Sequence, residues 1–186
     1  LMIKVYPNGK MSQHIDKMKV GDCLMVKGPL QKFVYQPNSK KQMGLIAGGT
    51  GLTPMYQLIR KVLDNPDDKT KISLLYANVT PDDIMLREEL EQLQAKHPDR
   101  FNVHFTVDRL LPETPKQEWK HDVGHVTRDM INKYIPASGP DTWVAVCGPP
   151  GFMNLLSGQK ESPMKQGELT GILKEMGYTS DNVFKY

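Results

Sequence analysis

Cysteine is nearly missing: Cys23 and Cys147 are the only two in 186 residues. Two cysteines cannot build a disulfide framework, which favours a reducing compartment or non-structural roles. No apolar run approaches the roughly 20 residues of a membrane span. No secretory signal peptide is recognisable. The chain opens on Leu1, with Met2 already inside a strand-like run, as expected for a fragment of a longer product. Internal repeats and low-complexity tracts are lacking. Aromatic and basic residues do not interleave, so no nucleic-acid partner is expected. What remains is an ordinary globular composition, 39% apolar and 24% charged. The length suits one domain plus a fragment of another. The net charge of +3 is uneven. Residues 1–41 hold Lys4, Lys10, Lys17, Lys19, Lys27, Lys32, Lys40 and Lys41 against Asp16 and Asp22. That basic front suits an anionic ligand or an acidic protein partner, or is simply a solvated surface.

The stretch Leu45-Ile46-Ala47-Gly48-Gly49-Thr50-Gly51-Leu52-Thr53-Pro54-Met55 carries the clearest pattern. It reads as a buried strand end, a glycine turn and a helix start. Glycines at 48, 49 and 51 let the backbone turn tightly and approach a ligand closely. Thr53 is placed to N-cap the helix, with Pro54 in its first position. Met55, Leu58, Ile59 and Val62 follow at helical spacing. Such a turn aims free N–H groups and a helix dipole at one point, which suits phosphate. The motif is Gly-x-Gly-x-x-Pro, so a tight turn without a ligand stays open as well.

Ahead of it, Leu1–Tyr6, Cys23–Lys27 and Phe33–Tyr35 read as strands. Ser12 is positioned to cap a short helix ending near Gly21, a second possible phosphate site or a plain surface helix. The breaker-rich Gln36–Lys41 marks a boundary, giving domains of 1–38 and 39–186. From Met43 strands and helices alternate. Strands are predicted at Met43–Ala47, Ile72–Ala77, Phe101–Val107, Trp143–Cys147 and Val183–Tyr186. Helices are predicted at Pro54–Leu63, around Leu86, Leu90 and Leu93 after a Thr80 cap on Pro81, at Thr127–Tyr134, and at Glu168–Met176. A long polar loop runs to about Gly124, and Gly148-Pro149-Pro150-Gly151 is a breaker cluster. The fold class is α/β: a parallel doubly wound sheet, with ligands at the strand carboxyl ends.

Gly48–Thr53, Asn78–Thr80 and Gly148–Phe152 should meet at that carboxyl edge, a convergence that favours a nucleotide site more than any one motif does. Cys147 could face the cleft, though a buried core residue fits the spacing better. Asp108, after the third strand, could accept from a ribose hydroxyl and repel a 2′-phosphate, or be a plain loop acid. His121 and His125 flank a poor helix former, which argues against a metal site. His97 and His104 read as structural. Tyr6, Tyr35 and Tyr76 could stack on a ring, although most strand aromatics are core.

Taken together, Gly9-Lys10-Met11-Ser12, Ala47–Pro54 and Cys147-Gly148-Pro149-Pro150 resemble the NADH-cytochrome b5 reductases, within the ferredoxin-NADP reductase-like flavoproteins. Tyr76-Ala77-Asn78, Asp82-Asp83-Ile84, Phe105–Asp108 and Val183–Tyr186 fit the same family, and the resemblance runs over the whole chain. Gln166–Leu169 and Gly177-Tyr178 look most like its plant mitochondrial branch.

The resemblance implies a remnant of an antiparallel flavin-binding β-barrel, followed by a nicotinamide-binding α/β domain. By position, Ile3, Lys4 and Tyr6 resemble flavin-contacting residues, and Gly9, Lys10, Met11 and Ser12 the segment holding the FAD pyrophosphate. Thr50 and Thr53 resemble residues lying near both flavin and nicotinamide. Gly48, Gly49, Thr50 and Gly51, then Ala77 and Asn78, then Cys147, Gly148, Pro149 and Pro150 resemble NADH-binding positions, with Cys147 near the nicotinamide ring. Asp108 resembles the acid that favours NADH over NADPH. The family reaction moves a hydride from NADH to FAD and single electrons to cytochrome b5, an acidic haem protein that the lysine-rich front would suit. The family's Arg-x-Tyr-Thr/Ser flavin motif is not in this sequence. The second expectation is therefore an NADH-binding module without turnover. The reductase end of a nitrate reductase is a third. The implied location is the mitochondrial outer membrane or intermembrane space, or alternatively the cytosolic face of the endoplasmic reticulum, with any anchor ahead of Leu1.

Overall fold

A computed structural model describes residues 2–28, 33–112 and 119–186. Leu1, residues 29–32 and part of the long polar loop lie outside them. The chain divides into two compact units, Leu1–Val34 and Tyr35–Tyr186.

In the first unit one helix forms, α1 (Lys10–Asp16), and it buries no residue. The strands expected at 1–6 and 23–27 do not form among the described residues, nor does the one at Phe33–Tyr35. Their composition suits strands, but a strand exists only where a neighbour takes its N–H and C=O groups. No such neighbour lies among the described residues of this unit, and Val20, Met25, Val26 and Val34 stay exposed. Ser12 does not cap α1. The helix starts three residues earlier than that cap implies, with Gly9 at its N-cap. Ser12 Oγ instead accepts from the Tyr6 N–H (3.1 Å) and donates to the Gly9 carbonyl (3.1 Å), closing the turn.

The second unit is built on a sheet. β1 (Gln42–Gly48), β2 (Lys71–Asn78), β3 (Phe101–Val107), β4 (Asp122–Val123), β5 (Thr142–Cys147) and β6 (Val183–Lys185) pair in parallel. Their order is β4-β3-β2-β1-β5-β6. Parallel strands need crossovers, and these are the helices α2 (Leu52–Leu63), α3 (Arg87–Lys96), α4 (Arg128–Tyr134), α5 (Pro150–Leu156) and α6 (Gly171–Glu175). Both faces are covered. Ile46, Leu75, Val144 and Val146 pack with Ile131, Met153, Leu156 and Leu173 of α4–α6. Their strand neighbours Leu45, Leu74 and Ala145 turn to the opposite face by the period of two. There α2 adjoins β1 and β5. This is why β1 is buried at every position after Gln42. α2 buries Leu52, Met55, Leu58, Ile59, Val62 and Leu63. Six such side chains contribute on the order of 10 kcal/mol before ordering costs.

Thr53 is not an N-cap. A 3-10 turn, Gly49–Gly51, runs directly into α2, whose N-cap is Gly51. Thr53 then lies inside the first turn and donates to the Thr50 carbonyl (3.3 Å). Pro54 remains in the first turn, where its missing N–H costs nothing. Thr80 does cap the 3-10 turn Pro81–Asp83, holding the Asp83 carboxylate through its N–H (3.1 Å) and hydroxyl (2.7 Å). Pro149-Pro150 does not only break the chain: it starts α5, with Pro150 in the first turn. Among the described residues, no helix is long and apolar enough to cross a membrane.

Candidate functional site

The strand order reverses between β1 and β5: the chain walks outward from β1 to β4, then returns to the other side of β1. In such sheets ligands bind at the carboxyl ends of the strands flanking that point. Ala47 stands opposite Cys147 in the register, so the two glycine turns leave the sheet side by side. They interlock. A Cβ on Gly51 would lie 2.1 Å from the Cys147 carbonyl oxygen. One on Gly148 would lie 2.4 Å from the Phe152 ring, and one on Gly48 3.2 Å from Pro149. Backbone packing requires glycine at 51, a Cβ at 148 would have to displace the Phe152 ring, and one at 48 would fit only tightly. Gly49 differs: its φ is +53° and a Cβ there would meet nothing within 4 Å. It needs the left-handed backbone and faces open space.

The other loops join this edge through hydrogen bonds. Tyr76, fully buried on β2, donates its hydroxyl to the Gly49 carbonyl (3.0 Å) and so fixes the turn from beneath. Burial pushes its pKa up to about 12, so it stays a donor. Tyr76 is thus core with a polar task, its ring buried with that of Phe105 tilted against it. The Asp108 N–H donates to the Asn78 carbonyl (3.0 Å), and the Arg109 N–H to that of Val79 (3.1 Å). The Asp108 carboxylate is partly exposed and lies 3.3 Å from His125 Nδ1. Asn78 is 7% exposed; its side-chain amide lies toward the Tyr76 hydroxyl, but its Nδ2 makes no hydrogen bond of normal geometry among the described residues. A buried donor left unpaired costs about 1–3 kcal/mol, so an acceptor from outside the chain is the natural partner. The free space at Gly49 and the orphaned Asn78 amide fit a nucleotide at this edge.

Thr50 is exposed, while Thr53 and Ala77 are half-buried. Cys147 is half-buried and its pKa is raised by burial, only partly offset by Lys160. It is a thiol at neutral pH, not an activated nucleophile. The Tyr186 N–H donates to the Val146 carbonyl (3.0 Å), which brings the end of the chain beside Cys147. In the first unit Ile3, Lys4, Tyr6, Lys10 and Met11 are exposed, and Gly9 and Ser12 are half-buried in the Tyr6–Ser12 turn. Lys4 Nζ lies 5.7 Å from the Tyr6 ring centroid.

One feature beyond the expected residues supports the edge. Lys185, 2% exposed, donates to the carbonyls of Gln159 (3.0 Å), Gly167 (3.2 Å) and Glu168 (2.9 Å), tying down the segment between α5 and α6. His121 and His125 do not share a ligand. His121 packs on His104, with Nδ1 atoms 3.4 Å apart, whereas His125 faces Asp108. His104 binds Asp122 (2.9 Å) and stacks on Tyr134. Burial lowers the pKa of both His104 and His121, the latter to about 4.

Comparison with known proteins agrees with this geometry. Residues 45–157 match the oxidoreductase NAD-binding domain family, and residues 1–35 the oxidoreductase FAD-binding domain family. The chain is 53% identical, over all 186 residues, to an Arabidopsis thaliana NADH-cytochrome b5 reductase-like protein, covering 55% of it. It is 47% identical to NADH-cytochrome b5 reductase 2 of Aspergillus oryzae, covering 56%. It therefore spans little more than half the length of these curated relatives. Among solved structures, the cytochrome b5 reductase domain of Ulva prolifera nitrate reductase superimposes with a TM-score of 0.82 at 37% identity, over 98% of this chain and 69% of that one.

Proposed function

The chain belongs to the NAD-binding oxidoreductase domains of the cytochrome b5 reductase family, and from that membership we propose that it is the NADH-binding part of an FAD-dependent NADH-cytochrome b5 reductase. The observation that carries the reading is the carboxyl edge at the strand reversal, where Gly49 leaves open space and Asn78 holds an unpaired buried donor. There the Gly48–Gly51 turn and the positive end of α2 receive the NADH pyrophosphate. Asp108 accepts from the adenosine ribose and disfavours a 2′-phosphate. Gly148–Pro150 and the neutral Cys147 thiol hold the nicotinamide end. Thr50 and Thr53 lie at the mouth of the same turn. Ile3, Lys4 and Tyr6 with Gly9–Ser12 contact FAD, which when bound accepts the hydride and releases electrons singly. No side chain is required as a general acid or base.

The electron acceptor in this reading is an acidic haem protein of the cytochrome b5 type. Exposed Lys4, Lys10, Lys17, Lys19 and Lys27 supply steering charge, so its reduction should slow with added salt. The location that goes with the reading is mitochondrial, resting on the branch resemblance of Gln166–Leu169, and organelle import of the full-length protein tests it.

The deciding experiment is a visible absorption spectrum of the purified chain, before and after adding FAD and then NADH. A retained flavin band bleached by NADH supports a working reductase site. NADH binding without retained flavin supports the narrower reading of a nucleotide-binding module. Neither flavin nor NADH binding overturns both.

A further inference from the structure

At the amino edge of the sheet, opposite the glycine turns, Asn38, Lys40, Lys41, Lys69, Thr70 and Lys71 line an open cavity of about 380 Å³. The edge is rigidly built. β1 and β2 begin side by side, with Gln42 opposite Lys71 and the Lys71 N–H donating to the Lys41 carbonyl (3.0 Å). Asn38 adopts φ +59°, a left-handed conformation that asparagine tolerates. Its side chain donates to the Asp67 carbonyl (3.0 Å) and accepts from the Lys69 N–H (2.7 Å). Beneath, the Asp68 carboxylate is fully buried. It accepts from the Tyr35 hydroxyl (2.6 Å), the Thr70 N–H (3.0 Å) and the Asn38 N–H (3.3 Å). Thr70 Oγ1 donates to the Lys40 carbonyl (3.0 Å). The backbones carrying the four lysines are therefore fixed without any ligand, which lowers the cost of binding one.

The charges are not balanced locally. Lys41 pairs with Asp141 (2.6 Å). Lys40 and Lys69 each donate to a neutral carbonyl, of Pro140 (2.6 Å) and Pro66 (2.6 Å). The Lys71 ammonium makes no hydrogen bond or ion pair among the described residues, its backbone N–H alone being engaged with Lys41. Asp68 is committed to its three donors, which leaves exposed Asp67 as the other acid of this turn. An ammonium has three donors, so Lys40, Lys69 and Lys71 keep spare ones directed to solvent. Cations drawn together repel unless an anion lies between them. The geometry points to a second ligand site here, for a compound bearing a phosphate or diphosphate group. The volume lies in the roughly 300–1,000 Å³ range of small-molecule pockets, and lysine binds phosphate as a point charge. This site is independent of the nucleotide edge.

The test titrates inorganic pyrophosphate into the ¹⁵N-labelled chain with NAD⁺ already saturating, so that the glycine-turn edge is filled. The expected result is saturable shifts at the Lys41, Thr70 and Lys71 amides. They should weaken by about tenfold or more, or about 1.4 kcal/mol, in Lys69→Gln/Lys71→Gln. Both side chains are exposed, so an unchanged amide spectrum elsewhere certifies the variant's fold. A parallel arm sediments the chain with phosphatidic acid vesicles. Binding to pyrophosphate alone assigns a soluble phosphate compound, and variant-sensitive binding to both assigns a phosphate displayed on a membrane. No saturable shift at these amides, or equal binding by wild type and variant, overturns the site.

Discussion

Replacing Lys185 by Met tests how the segment between α5 and α6 is held. Methionine is one heavy atom shorter but keeps the unbranched apolar stem, so packing changes little. What is lost is the ammonium and its bonds to the carbonyls of Gln159, Gly167 and Glu168. The three bonds are part-buried, and a hydrogen bond from a charged donor is worth about 1.5–3 kcal/mol where water does not replace it. The variant also escapes the cost of desolvating an ammonium, which offsets part of the loss. The net destabilisation expected is about 3 kcal/mol. At roughly 2–4 °C per kcal/mol for a chain of this size, Tm should fall by about 10 °C. Chemical denaturation gives the free energy, and hydrogen exchange locates it. Amides from Gln159 to Leu169 should lose protection before those of β1 and β2. A Tm within about 1 °C of wild type, with exchange unchanged in that segment, would refute the reasoning.

At Gly49, Gly49→Asn should retain most NADH affinity, because asparagine tolerates positive φ, whereas Gly49→Val should lose it by an order of magnitude or more through backbone strain; equal affinities in folded variants would remove the conformational argument. Asp108→Ala should raise the NADPH-to-NADH preference on the order of tenfold at low salt, from the loss of one repelling charge, and an unchanged ratio of dissociation constants would count against its role. His121 is held at about 4 in the folded chain against about 6.5 unfolded, with His104 shifted the same way. A lowered histidine pKa favours the fold above the unfolded value. Stability should therefore be full above pH 6.5 and fall by about 1–2 kcal/mol toward pH 4, after discounting for solvent screening, a loss that denaturation at stepped pH would show shrinking in His121→Phe. Iodoacetamide should modify exposed Cys23 first, and NAD⁺ should slow modification of Cys147; peptide mass mapping with no protection would separate Cys147 from the nicotinamide end.

The sheet was legible because short apolar runs such as Leu45–Ala47 and Leu74–Tyr76, bounded by breakers and alternating with helical spacing, suit strands covered on both faces. β4 was not, because two residues carry no period. α5 was obscured because Pro149-Pro150 reads as a stop, although proline at a helix start needs no N–H. In the first unit, local pattern promised strands that only a pairing partner could form. The glycine turn was visible, but the division of labour inside it was not. That Gly51 serves packing and Gly49 conformation depends on Cys147, almost a hundred residues away. The Tyr76 bond to Gly49, the Lys185 cage and the His104–His121 contact likewise join distant residues with no shared motif.

The central place of β1 also dictates a schedule. Its one flank pairs with β2 soon after synthesis, but its other flank waits for β5, with Lys41 and Asp141 a hundred residues apart. At roughly 5–20 residues per second, a ribosome leaves that flank open for about 5–20 s. During that interval a hydrophobic, hydrogen-bond-hungry strand edge is presented to every other nascent chain nearby. The same reversal that creates the ligand edge leaves one flank of the central strand without its partner until β5 is made.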